Sequence, residues 1–291
     1  MANSHILAQD FNYVEPRTIE EALSLLASHQ GQAKMIAGGT DLLVWMKMGR
    51  VSPQHVISLS RVPALRYLIT DQGLRLGALT TFREVEKHWL IPRKYTALFE
   101  AAKSVTSVQI KHMGTIGGNL CNASPAADSA PPLLAFGAKV RLADDQRERV
   151  LPLEEFFVGN GVTCLSPKEI LVEVQVAELS GPTGSAFIKM ARVAADLAKI
   201  SVAAMVVRQG EVCKDCGIAM GGVAKVPMRL RKTEEVLRGK RFDPDLVSKA
   251  GLQASEEIQP RSRRSTAFYK KEVTKILIRD ALGLAWTRAE G

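Results

Sequence analysis

The chain has 291 residues, which at ~150 residues per domain gives roughly two domains. Lys and Arg number 39 against 30 Asp and Glu, a formal charge of +9, while hydrophobic residues make up 46% and charged residues 24%. This composition excludes a disordered chain, a collagen and a disulfide-stapled miniprotein.

Thr18 and Glu21 form a capping box after Pro16, and Ile19, Ala22, Leu23 and Leu26 recur at helical spacing, so 18–28 is predicted as a helix. Residues 33–37 read as a short buried strand that runs into Gly38-Gly39, and 55–59 as a second strand. Residues 64–69 and 74–79 read as a hairpin turning at Asp71-Gln72-Gly73. A second capping box, Thr81 with Glu84, starts a helix that runs to about His88, and 96–105 is helical again. A short apolar helix or turn at 131–136 precedes strands at 139–142 and 170–176. Ser180-Gly181-Pro182-Thr183-Gly184 is the clearest linker in the chain. Strands follow at 185–192, 198–208 and 212–223, then helices near 233–238 and 244–257. The final helix, 266–285, is expected to place Tyr269, Val273, Ile276, Leu277 and Leu284 on one face. Strands and helices mix up to about residue 178, and a strand meander followed by helices completes the chain, an α+β order rather than repeated βαβ units. The expected domains are 1–178, with subdomains of about 1–58 and 59–178, and 183–288.

Residues 1–10 carry no cationic start or apolar stretch of signal-peptide type, and no uncharged apolar run approaches the ~18 residues of a membrane helix. Together with four cysteines, this gives a cytoplasmic expectation with free thiols and no membrane span. The basic residues are scattered, with one cluster at Arg261, Arg263, Arg264, Lys270 and Lys271, and aromatics are only 5%, so nucleic acid is not expected as a partner.

Two glycine pairs stand out, in Ala37-Gly38-Gly39-Thr40-Asp41 and in Thr115-Ile116-Gly117-Gly118-Asn119. Paired glycines permit positive φ and clear away Cβ atoms, so successive amides can cradle an anion such as a pyrophosphate, with Thr40 and Thr115 adding hydroxyls. Each pair alone also reads as a plain tight turn. Gly-x-Gly-x-x-Gly opening a helix is absent from both places, and so is a P-loop, which removes support for a nicotinamide Rossmann enzyme or a nucleoside triphosphatase.

The residues around these pairs carry a resemblance. It rests on the Ala37–Asp41 loop with Met46-Lys47, on Gln109-Ile110, and on the stretch from Thr115 to Asp128 read as TIGGNLCNASPAAD. It continues through Ser185-Ala186-Phe187 with Lys189, through Arg264-Ser265 to Tyr269, and into Arg279-Asp280-Ala281-Leu282. Over essentially its whole length the chain resembles the FAD-binding medium subunit of the molybdenum hydroxylases, the family of carbon monoxide, xanthine and nicotinate dehydrogenases. The resemblance implies an FAD-binding fold of the vanillyl-alcohol-oxidase type followed by a C-terminal domain. It implies that residues 35–42 (Met35, Ile36, Ala37, Gly38, Gly39, Thr40, Asp41, Leu42) and 115–119 (Thr115, Ile116, Gly117, Gly118, Asn119) wrap the FAD pyrophosphate. Asp128, Leu171 and Lys189 match further flavin positions of the family. From the residues themselves, Asp128 suits a ribose or ribityl hydroxyl or a turn cap, Leu171 suits strand core, and Lys189 suits the surface or a place beside the flavin.

Some flavoproteins of this fold attach FAD through a histidine beside the first glycine pair; Thr40 stands there, so FAD is expected to be noncovalent. His5, His29, His55, His88 and His112 have no ligand-like spacing. Cys213-Lys214-Asp215-Cys216 is a lone CxxC, short of the about four ligands of a zinc or iron–sulfur site, and is expected to close a turn between strands. Cys121 lacks the cysteine-bearing insertion found in one branch of the family. No metal site is expected.

The resemblance implies an oxidoreductase subunit that transfers electrons and needs no acid–base side chain. A small [2Fe-2S] subunit and a large molybdenum-cofactor subunit are its implied partners, in a dimer of heterotrimers. A stand-alone flavin oxidoreductase of the same fold would need a base, for which Asp196 and Glu173 are the weak candidates. A scaffold protein without flavin is the third reading.

Overall fold

The computed structural model describes residues 7, 9–29 and 31–290. The reading of His5 and most of that of residues 1–10 therefore lie outside the described residues.

The first unit is a three-stranded parallel sheet with His55–Ser58 at its centre, flanked by Asn12–Val14 and Ala33–Ile36. Helix Ile19–Ser28 covers it, burying Ala22, Leu23 and Leu26 against Ile57 and Leu59. Only half of the expected box forms at its start. Thr18 Oγ1 accepts from Glu21 N at 3.1 Å, but the Glu21 carboxylate passes the cap residue and takes Arg17 N at 2.6 Å. The Thr81–Glu84 box is complete and begins helix Phe82–Lys87.

The second unit is an antiparallel sheet in the order Leu68–Ile69, Leu74–Gly77, Ile170–Val176, Lys139–Ala143, Glu148–Pro152. The predicted hairpin is there, turning through Gln72 and Gly73 at positive φ, but it is shorter. Pro63 starts a 3₁₀ turn over Pro63–Leu65, which removes Ala64 and Leu65 from the strand. Helices Phe82–Lys87, Thr96–Ser104, Ile116–Cys121 and Ala130–Ala135 share one core with this sheet.

The third unit is an antiparallel sheet of Thr183–Met190, Ile200–Gln209, Val212–Gly221 and Met228–Arg229, with Lys240–Arg241 added at the start of the third strand. Its two faces are both buried. Phe187, Ala203, Met205 and Ala219 join the core of the preceding unit. Ala186, Val202, Ala204, Val206, Ile218 and Met220 pack under helices Pro244–Glu257 and Ala267–Arg288. Double burial explains why 200–207 reads as one apolar run rather than as an alternation.

The last helix turns most of the expected apolar face away from the core. The helix buries Lys270, Thr274, Leu277, Ile278, Ala281, Leu282 and Ala285. Tyr269, Ile276 and Leu284 are 42%, 49% and 44% exposed. Where this helix meets strand Thr183–Met190 the approach is close: a Cβ on Gly184 would lie 2.1 Å from the Ala285 carbonyl oxygen. Among the described residues no helix is long and apolar enough to cross a membrane.

Candidate functional site

Strand Ala33–Ile36 ends at the first glycine loop, which feeds helix Leu42–Lys47. Met35 is half-buried, and Ile36 reaches under the loop beside Leu43 at the position where Gly39 has no Cβ. Gly39 takes φ +70°, and a Cβ on Gly38 would lie 1.7 Å from the Met113 carbonyl oxygen. Glycine is therefore required at both positions, by conformation at one and by contact at the other. Among the described residues no acceptor is found for the backbone amides of Gly38, Gly39, Thr40 and Asp41. Successive free N–H groups around a left-handed residue form an anion-binding concavity.

The second glycine pair is built differently. Thr115 caps a helix, Ile116–Cys121, where the sequence suggested a loop. Ile116 N donates to Thr80 O, Gly117 N to Ala78 O, Gly118 N to Thr115 Oγ1 and Asn119 N to Thr115 O. These amides already have protein acceptors. Gly117 is glycine because a Cβ would come within 2.6 Å of the Ala78 carbonyl oxygen. A Cβ on Gly118 would lie 3.8 Å from Ala37 Cβ, so the two glycine segments do meet.

Asn119 links this helix to the next feature. Its Oδ1 accepts from Ser129 Oγ at 2.6 Å and from Ser129 N at 3.3 Å, tethering the residue after Asp128. Asp128 is 8% exposed. Its Oδ2 accepts from Lys189 Nζ at 3.1 Å, while Oδ1 is buried with no partner. Burial pushes the Asp128 carboxyl above its ordinary range, and Lys189 offsets only part of that. Lys189 comes from the C-terminal sheet, where it lies opposite Ser201, which in turn lies opposite Gly221. Ser201 Oγ is likewise buried and unpartnered, as is Asn122 Oδ1. Two of these unsatisfied atoms, Asp128 Oδ1 and Ser201 Oγ, thus flank Lys189 where the two cores join, and a buried polar atom left alone costs about 1–3 kcal/mol. Leu171 sits in the core, paired with Leu142 across the sheet, among apolar side chains.

Neither weak candidate base is free. Glu173 is fully buried and takes bonds from Tyr67 Oη, Arg75 Nε at 2.9 Å and Gln175 Nε2 at 2.5 Å, with Arg141 Nε at 3.5 Å. Burial alone would raise its carboxyl; bonds from Tyr67, Gln175 and Arg75 outweigh that and hold it below the usual range. Asp196 is paired with Arg192 at 2.7 Å, at a cavity of about 390 Å³ also lined by Leu197, Lys199 and Arg264.

His29 stacks on His55, with ring centroids 3.7 Å apart; His88 Nδ1 accepts from Leu90 N, and His112 Nδ1 is bonded to Val108 O. Among the described residues no group of three or more His, Cys, Asp or Glu could hold a metal ion. Cys213 and Cys216 do not close a turn. They lie within strand Val212–Gly221, and both thiols are buried. A register shift between Cys213 and Asp215 turns Lys214 out to solvent and leaves both sulfurs facing the core.

Residues 9–178 match the family model described as the FAD binding domain in molybdopterin dehydrogenase. The chain belongs to this family. Residues 185–285 match the CO dehydrogenase flavoprotein C-terminal domain. The chain is 31% identical over 281 residues to the carbon monoxide dehydrogenase medium chain of Hydrogenophaga pseudoflava, covering 96% of this chain and 98% of that protein. It is 30% identical over 270 residues to the glyceraldehyde dehydrogenase medium chain of Sulfolobus acidocaldarius, covering 92% and 95%. The solved carbon monoxide dehydrogenase of H. pseudoflava, in a form lacking the Mo-pyranopterin moiety, superposes with a TM-score of 0.94 at 30% identity, over 97% of this chain and 99% of that one.

The chain is thus an FAD-dependent oxidoreductase subunit of the molybdenum hydroxylases. Its residues fit the cofactor: free amides suit a pyrophosphate, the lone Asp128 oxygen suits a sugar-chain hydroxyl, and Lys189 supplies a cation beside it. Sequence reasoning missed Ser201 and Gly221 at this seam. The one available signal was Ser201 itself, a hydroxyl inside an otherwise apolar strand.

Proposed function

We propose that this chain is the electron-transfer subunit of a molybdenum hydroxylase complex, carrying FAD without a covalent bond. Electrons leave the molybdenum cofactor of a large partner, cross the [2Fe-2S] clusters of a small partner, and pass through FAD to an external acceptor. Bound FAD supplies the exchange between one-electron and two-electron carriers. The chain's own residues bind and orient. The amides of Gly38 to Asp41 face the pyrophosphate, helped by Thr40 and by the packing of residues 115–119 beneath them. Asp128 accepts a ribose or ribityl hydroxyl, and Lys189 holds that carboxylate and favours electron density on the reduced ring. Met35, Ile36, Leu42 and Leu171 shape the apolar walls. The reading includes a vanillyl-alcohol-oxidase-type FAD domain over 1–178, a C-terminal domain over 183–288, a dimer of heterotrimers and a cytoplasmic location.

The observations that carry this reading are four amides with no acceptor among the described residues and the buried, half-satisfied Asp128 carboxylate, linked through Gly118, which lies against Ala37, and Asn119, which holds Ser129. Because Glu173 and Asp196 are both engaged by cationic partners, neither offers the base that a stand-alone enzyme would need. The test is a visible spectrum of the purified chain before and after acid precipitation, with capture of partners from the native cell. Flavin bands, FAD released into the supernatant, and co-purifying iron–sulfur and molybdenum subunits are expected. A chain that stays colourless with added FAD, or flavin that stays with the pellet, contradicts it.

A further inference from the structure

The loop that carries Asp128 is anchored from the far side of the C-terminal domain. Lys270, in the first turn of helix Ala267–Arg288, is 4% exposed, and its Nζ donates to the Gly222 carbonyl oxygen at 2.7 Å. Gly222 N donates in turn to Pro125 O at 2.6 Å. Gly222 takes φ +76°, and a Cβ there would come within 2.4 Å of the Lys199 carbonyl oxygen. Gly221 leaves the space beside Ser201 Oγ and Pro125 O that a side chain would fill. One residue is therefore gripped at both its N–H and its C=O, with a buried ammonium on one side and the Asp128 loop on the other.

That ammonium is expensive. Among the described residues no carboxylate forms an ion pair with it. Burial and the charges of Arg264 and Arg263 all work against its protonated form. A buried cation whose acceptor is a peptide carbonyl contributes little net stability in itself.

We propose that Lys270 is a positioning residue for the cofactor site: through Gly222 and Pro125 it fixes the 125–128 segment so that Asp128 presents its free oxygen to FAD. The inference rests on the FAD reading above. Asn119 holds the same segment at Ser129, so Asp128 is tethered on both sides, once from within its own domain and once from the C-terminal helix.

The test combines Lys270→Met, Asp128→Asn, the double variant and Lys270→Arg in the full-length chain stripped of cofactor. FAD affinity is read by titration, and amide hydrogen exchange is read with no cofactor present. Lys270→Met and Asp128→Asn should each weaken FAD binding by about tenfold, the scale of one charge-assisted hydrogen bond. The double variant should be no weaker than either single one, because both act through the same carboxylate. Lys270→Arg should bind within about twofold of the parent, since it keeps a cationic donor. In Lys270→Met, exchange should speed up in residues 122–129 and at Gly222. Multiplicative losses in the double variant, or unchanged exchange in that segment, would overturn the proposal. If Lys270→Met does not fold, Lys270→Gln, which keeps a donor without the charge, enters the same cycle. A parent chain that takes up no FAD would sink the flavin reading instead, and exchange alone would then decide the anchoring.

Discussion

The two glycine pairs look alike in sequence and differ in what their backbones do. In the first, four successive amides from Gly38 to Asp41 have no acceptor among the described residues, and glycine is needed to hold that turn against Met113. In the second, every amide from Ile116 to Asn119 has an acceptor, and Gly117 is needed only because a helix must press against Ala78. A Gly-Gly pair therefore announces either exposed donors or close packing. The neighbouring carbonyls decide which: Thr80 and Ala78 offer acceptors to the second pair, and no carbonyl among the described residues does so for the first.

The sharpest way to break this contrast is Gly117→Ala. A methyl group forced against the Ala78 backbone should cost about 3 kcal/mol of stability, the upper range of overpacking. The urea midpoint of the cofactor-free chain checks it, and FAD affinity of the folded fraction should stay within about threefold. Gly39→Ala should do the reverse. Its cost in stability is about 1–2 kcal/mol, from an alanine held at positive φ, while FAD affinity falls at least about tenfold as the amides splay. Thr115→Ala removes a helix cap for about 1 kcal/mol and should leave FAD affinity within about twofold. Equal losses of affinity in all three variants would erase the distinction.

The smallest effect concerns Asp128 and pH. Its carboxyl is raised in the folded chain, so the folded state binds the proton more tightly than the unfolded one. Stability carried by this group is therefore lost as pH rises through the raised value and regained below it. The cofactor-free Asp128→Asn variant should accordingly be more stable than the parent near neutral pH. That gap should close as pH falls, which paired thermal unfolding curves will show. FAD affinity should move the opposite way, since the variant loses the carboxylate acceptor.

Local signals in the sequence were readable where local chemistry decides. Asp243 followed by Pro244 sets the start of helix Pro244–Glu257, and its Oδ1 accepts from Leu246 N. Thr81 with Glu84 does the same for its helix. The glycine pairs were legible as candidate anion cradles from their own residues, whereas Asp128 stood out only through the family resemblance, because aspartate is also an ordinary turn residue. What remained hidden was non-local. The helix at Ile116–Cys121 forms despite two internal glycines because Ala78 and Thr80 receive its first amides. The last helix approaches Gly184, a hundred residues away, so closely at Ala285 that no side chain fits there, and nothing in the helix's own sequence announces it. Ser201, Gly222 and Lys270 meet the Asp128 loop only after the sheet has folded, and no spacing in the chain announces that meeting.

The most direct test of the contrast is an FAD titration of the nitrogen-labelled, cofactor-free chain, followed at its backbone amides. The amides of Gly38, Gly39, Thr40 and Asp41 should shift strongly downfield as they gain phosphate acceptors, while those of Ile116 to Asn119 move little. Large shifts confined to the second segment, or none in the first, would contradict the assignment of the phosphate cradle.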